Sequence, residues 1–239
     1  MTGKPTLPKS KPTSRSVAAF LDAMGKAPAI RAAGSTGRLI FALDATMSRQ
    51  PTWALARQVQ GEMFEAAAEA RGGLQVQLVS FRGMGEFDVR PWTAEAKVLK
   101  AAMTGYGCRG GFTQIERTLN HASAETARNK VHALVFVGDA LEENADAVCA
   151  AAGKLSLAGV PAFMFQEGTN AKVEATFREV ARLTRGAYAA FDASAAGTLA
   201  ELLRAVAVFA SGGARALTDH AKGAGQLVRQ IAGQMGRGS

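Results

Sequence analysis

Five oxygen-bearing residues carry the chemistry legible in this sequence. Asp44, Thr46 and Ser48 lie in the pentapeptide DATMS. In an extended turn, spacing i, i+2, i+4 puts alternate side chains on one side, so one short segment can offer three oxygens to a single ion. Thr113 closes a glycine-rich stretch, and Asp139 follows the most apolar strand pattern, in VFVGDA. Carboxylate and hydroxyl oxygens are hard ligands, suited to magnesium or manganese and unsuited to soft metals. Two carboxylates with three neutral hydroxyls leave a divalent cation incompletely neutralised. An octahedral position held only by water then accepts an aspartate or glutamate from another protein. Each residue also has a plainer explanation. Asp44 could cap the helix that follows, Thr46 and Ser48 could satisfy turn backbone, Thr113 could cap a helix, and Asp139 could be a turn residue.

The elements that must position these groups follow from hydrophobic periodicity. RLIFAL (38–43) predicts a buried strand ending at Asp44, and 50–70 an amphipathic helix stopped by Gly72-Gly73. LQVQLVSF (74–81) alternates as a strand, and RGMGEFDVRPW predicts a turn and a short edge strand beside Pro91. Helices are expected over 93–103, from near Thr113, and over 142–157, 171–184 and 195–210. Strands are expected over 131–137, 160–165 and 187–191. This alternation predicts a doubly wound α/β fold: a mostly parallel six-stranded sheet with one antiparallel edge strand and helices on both faces. In such sheets ligands bind beyond the carboxyl ends of the strands where strand order reverses, which is where Asp44, Thr113 and Asp139 are expected.

The chain has 239 residues, is 48% hydrophobic and carries a net charge of +8. Residues 1–15 hold Lys4, Lys9, Lys11 and Arg15 without an acid, and 212–239 hold Arg215, Lys222, Arg229 and Arg237 against Asp219. The tails therefore supply nearly all the excess charge, and the part between them is close to neutral. A basic tail attracts anionic surfaces, but no aromatic cluster supports base stacking. The expected organisation is a disordered basic tail (1–15), an N-terminal helix and linker (16–35), one domain (36–210) and a basic C-terminal helix or tail (211–239), whose apolar residues from Leu217 to Met235 recur at spacings of four and three. Two cysteines, Cys108 and Cys149, lack metal or disulfide spacing. No apolar stretch has signal-peptide or membrane-spanning length. A protein of the reducing cytoplasm is expected.

Other motifs weigh less. Gly105-Tyr106-Gly107-Cys108-Arg109-Gly110 matches a dinucleotide fingerprint, but a helix rather than a strand precedes it; it reads as a flexible loop beside the site. His121, His132 and His220 are scattered, and no nucleophile, base and acid assemble from spacing. Arg49 and Arg109 are expected at the rim, where they would favour acidic partners.

DATMS resembles the D-x-S-x-S motif of von Willebrand factor A and integrin-type domains, and GFTQI and VGDA stand where that family places its metal-binding threonine and second aspartate. The resemblance covers about residues 36–210. It implies a metal-ion-dependent adhesion site with Ser48, Thr46 and Thr113 near a Mg2+ or Mn2+ ion, and with Asp44 and Asp139 acting mainly through bound water. It also implies a non-enzymatic intracellular adaptor that grips a partner's Asp or Glu, with AAA-type ATPases and chelatases as partner systems. Thr46 in place of serine, Gln114 after Thr113, and Gly138-Asp139-Ala140 in place of Thr-Asp-Gly depart from the family pattern without removing a proposed ligand. Two alternatives stand beside it. One is a haloacid-dehalogenase-type phosphotransferase with Asp44 as nucleophile, together with Thr113, Lys130 and Asp139. It lacks the usual second aspartate and room for a flap. The other is a metal-free scaffold.

Overall fold

A computed structural model describes residues 36–50, 53, 73–191, 201 and 203–212. Six strands form one sheet: β1 (Gly37–Asp44), β2 (Leu74–Arg82), β3 (Glu86–Val89), β4 (Ala133–Gly138), β5 (Ala162–Glu167) and β6 (Ala187–Phe191). Their spatial order is β3-β2-β1-β4-β5-β6. Every pairing is parallel except β2 with β3, which is antiparallel at the edge. The doubly wound α/β architecture expected from the sequence is the one observed.

All eight residues of β1 are buried, because this strand lies inside the sheet with helices above and below it. Alternate side chains divide between two cores. Leu39, Phe41 and Leu43 join one cluster, and Ile40 and Ala42 the other. Helix α1 (Ala96–Thr104) delivers Leu99 and Met103 to the first cluster. Trp53 and the last helix among the described residues, α5 (residues 203–212), complete it, with Phe209 edge-on to Phe163 at 5.6 Å between centroids. The second cluster receives α2 (Ile115–Arg128), α3 (Ala145–Leu157) and α4 (Ala171–Leu183). Phe136 stacks on Phe81 at 5.8 Å and meets Phe177 edge-on at 5.5 Å. Burial of one such side chain contributes on the order of 1.5–3 kcal/mol. The six-strand frame is therefore held rigidly from both faces.

From β1 the chain moves outward to β2 and β3, then returns to β4 on the opposite side of β1. The strand order thus reverses between β1 and β4, and their carboxyl ends open a crevice there. Asp44 is the last residue of β1, and Asp139 follows the last residue of β4. Among the described residues no helix is long and apolar enough to cross a membrane. The expected N-terminal tail and helix, nearly all of the helix over 50–70, and the C-terminal segment from 213 onward lie outside the described residues.

Candidate metal centre

The site is built by the turn that ends β1. Ala45 donates its N–H to Phe81 O at 3.0 Å, the last link to β2. Asp44 Oδ1 then accepts the N–H of Thr46 at 2.8 Å, a local turn that stops the strand. A single 3-10 turn, Met47–Arg49, follows. It places the Ser48 hydroxyl 3.0 Å from Thr46 Oγ1 and lets it donate to Asp139 Oδ1 at 3.0 Å. Thr46, Ser48 and Asp139 thus form one line of oxygens, with Asp44 beneath it. Arg109 N donates to Ala45 O at 3.1 Å, which seats the glycine-rich loop against this turn.

The electrostatics are those of carboxylates short of positive charge. Asp44 is fully buried, and its Oδ2 has no hydrogen-bond partner among the described residues. Burial pushes its carboxyl up to about 6, against the opposing effects of the Thr46 hydrogen bonds and the Arg49 charge. Burial also raises Asp139, opposed by the Ser48 hydrogen bond and Arg49. Gly138 matters here. A Cβ at that position would lie 3.3 Å from Asp44 Oδ2 and 2.9 Å from the Phe136 ring. An orphaned buried carboxylate oxygen beside a missing side chain suits a small hard cation or its coordinated water. Among the described residues no three or more His, Cys, Asp or Glu side chains are grouped to hold a metal. A cation here therefore depends on hydroxyls and water in addition to Asp44 and Asp139.

Thr113 is nearly buried but is tied to another loop. Its N–H donates to Glu142 Oε2 at 3.0 Å, and its hydroxyl accepts from Glu142 N at 3.3 Å. No hydrogen bond joins it to Asp44, Thr46, Ser48 or Asp139 among the described residues. It does not cap α2 either. Gln114 holds the N-cap position without a side-chain bond, and the Glu143 carboxylate accepts the N–H groups of Ile115 and Glu116. The structure thus assembles four of the five expected oxygen residues and holds the fifth by the loop that Asp139 begins. Gly111 brings this segment against the β2–β3 turn, since a Cβ there would fall 1.9 Å from Gly83 O. Gly111→Ala must push the two loops apart, at an expected cost of about 1–3 kcal/mol, measurable by urea unfolding.

Two charged residues escaped the sequence reading. Arg49, expected at the rim, is almost completely buried. Its Nε donates to Glu167 Oε2 at 3.0 Å and its Nη1 to the Asp44 carbonyl at 3.0 Å. The Glu167 carboxylate and the Asp44 carbonyl hold it inside, and the guanidinium also lies 5.7 Å from the Trp53 ring. Glu167 ends β5, and its position as the last residue of the next strand was the available signal. Arg109 does lie at the rim, on Glu86. The phosphotransferase alternative loses one of its parts. Lys130 precedes β4 and binds the carbonyls of Ala158 and Gly159, a strand's length from Asp139.

No protein-family model and no curated protein matches the chain. Solved structures do. A von Willebrand factor type A protein from Catenulispora acidiphila superposes with a TM-score of 0.62 at 20% identity, over 74% of this chain and 43% of that one. The SpRpn10 VWA domain superposes with a TM-score of 0.58 at 13% identity, over 70% of this chain and 94% of that one. The fold is that of a von Willebrand factor A domain. A third VWA relative in shape, proximal thread matrix protein 1 from the mussel byssus, has a zinc-occupied MIDAS motif in its own structure; it superposes with a TM-score of 0.55 at 14% identity, over 73% of this chain and 46% of that one. The chain thus spans under half of the Catenulispora and mussel proteins and nearly all of the SpRpn10 domain.

Proposed function

We propose that this VWA domain binds a divalent cation, Mg2+ or Mn2+, through Asp44, Thr46, Ser48 and Asp139 with Thr113 nearby, and uses it to bind an Asp or Glu of a partner protein. The observation that carries the reading is the buried Oδ2 of Asp44, without a partner among the described residues, beside the Ser48–Asp139 hydrogen bond. A bound cation supplies positive charge with a coordination position open to a partner carboxylate. The chain's own residues do the rest. Asp44 locks the turn through Thr46 N, Ser48 orients Asp139, and the buried Arg49 holds the Asp44 carbonyl so that the turn keeps its shape.

The placement of Lys130 on the Ala158 and Gly159 carbonyls, away from Asp44 and Asp139, favours a binding module over the phosphotransferase. An intracellular adaptor role, with an AAA-type ATPase as the partner class, rests on the family resemblance. Calorimetry with magnesium and with manganese tests the site. Wild type is expected to bind and Asp44→Ala to lose binding, and equal heats from both proteins would remove the cation from the reading. A pull-down with and without chelator then asks whether the partner depends on the cation.

A further inference from the structure

Six large apolar side chains are exposed among the described residues, and three of them, Met47, Met84 and Phe112, stand on loops around the Asp44 turn. They are 52%, 82% and 55% exposed. The other three, Val89, Val98 and Leu157, lie apart on the edge strand and on α1 and α3. Lone exposed apolar residues are ordinary, but a set converging on one face marks an interaction surface.

The loops carrying these three side chains are fastened together. Phe112 N donates to Gly83 O at 3.4 Å, Gly111 packs on the Gly83 backbone, and Arg109 N holds Ala45 O at 3.1 Å. Rigid presentation of apolar and arginine side chains lowers the ordering cost of docking. Arginines run between them. Arg82 and Arg109 share Glu86, and Arg117 reaches Gly85 O from the first turn of α2. Two arginines thus share one acid, Arg117 adds a third positive charge, and the Arg109 side chain is 63% exposed. The nearby carboxylates of Glu142, which is exposed, and Glu143, which is half-buried, each accept backbone N–H groups of the segment after Phe112.

We propose that this face docks a protein segment in which one carboxylate is flanked by large apolar side chains and by further acids. The apolar residues would seat on Phe112, Met84 and Met47, and the flanking acids on the arginine rim. The inference rests on the cation-site reading for the central carboxylate alone. The chain's own ends do not suit the face. Residues 1–15 carry four cations and no acid, and 212–239 carry four against Asp219, so the rim repels them, while 16–35 set Asp22 beside Leu21 and Met24 but hold no second acid and carry Lys26 and Arg31. A second copy presenting the same face is opposed by the same charge.

The test is selection of a displayed random library of peptides about twelve residues long on the full chain in magnesium, followed by fluorescence anisotropy with the synthetic winner. Enrichment of Asp or Glu within a few positions of Phe, Leu, Ile or Met is expected. Phe112→Ser and Met84→Ser should each weaken the winner at least about fivefold, and Arg109→Ala should weaken it with a shallower salt dependence. Magnesium heats should stay at the wild-type value in all three variants. No enrichment, enrichment of acids without apolar neighbours, or a winner indifferent to Phe112 and Met84 overturns the inference and leaves the cation reading standing if magnesium still binds. Equal binding in chelator, still sensitive to Phe112, keeps the docking surface and removes the cation. Self-association of the wild type that Phe112→Ser abolishes in sedimentation overturns the proposal in favour of a second copy.

Discussion

Asp44→Asn, studied without divalent cation at about pH 8, is expected to unfold later than the wild type, by roughly 2–3 kcal/mol. The reason is the cost of burying an ionised carboxylate whose Oδ2 has no partner among the described residues. Burial, partly offset by Thr46 and Arg49, sets its native pKa at about 6 against an ordinary value of 3.8. Between those values the native state binds more protons than the unfolded chain. Wild-type stability therefore falls as pH rises from about 4 to about 6, and the loss is complete above that window. A shift near two units corresponds to roughly 3 kcal/mol. The Asn variant should lack that slope. Added Mg2+ should raise the wild-type melting temperature at about pH 8 and leave the variant unchanged, because binding to the native state stabilises by mass action. A variant less stable than wild type at high pH, with the same magnesium response, would show that Asp44 serves only the turn.

Arg49→Met should have the larger structural cost, about 3–5 kcal/mol. The substitution strands Glu167, whose side chain is only 10% exposed, and removes the donor on the Asp44 carbonyl. The double variant Arg49→Met with Glu167→Gln should recover much of that loss, since the Glu167 charge is then no longer stranded. Chemical denaturation of the four proteins of this cycle measures the coupling directly. Strict additivity would mean that the Arg49–Glu167 pair is not the source of the cost.

The strand–helix rhythm was legible because burial on both faces writes long apolar runs, such as RLIFAL and VHALVFV, into a parallel sheet. Asp44 and Asp139 were legible for the same reason, as the first polar groups past those runs. Arg49 was not. Its neighbours in sequence are polar and exposed, and its burial comes from Glu167, 118 positions away. Thr113 shows a subtler limit. Its place at the end of a glycine-rich segment marked it as a candidate, yet its hydrogen bonds depend on where Glu142 falls after β4. Helix capping by Glu143 from another loop was equally hidden, because the cap residue is not adjacent in the chain.

The sequence by itself determined the doubly wound sheet, the antiparallel edge, and which hydroxyls and carboxylates end its central strands. Those features follow from local periodicity and from the polar residues that terminate each run. Only the tertiary structure decided that Ser48 hydrogen-bonds Asp139, that Asp44 keeps one oxygen buried and partnerless, and that Arg49 lies under the site. It also decided that Met47, Met84 and Phe112 share a face. Each of these depends on distances between segments remote in the chain, set by strand order and by close backbone approaches such as Gly111 on Gly83.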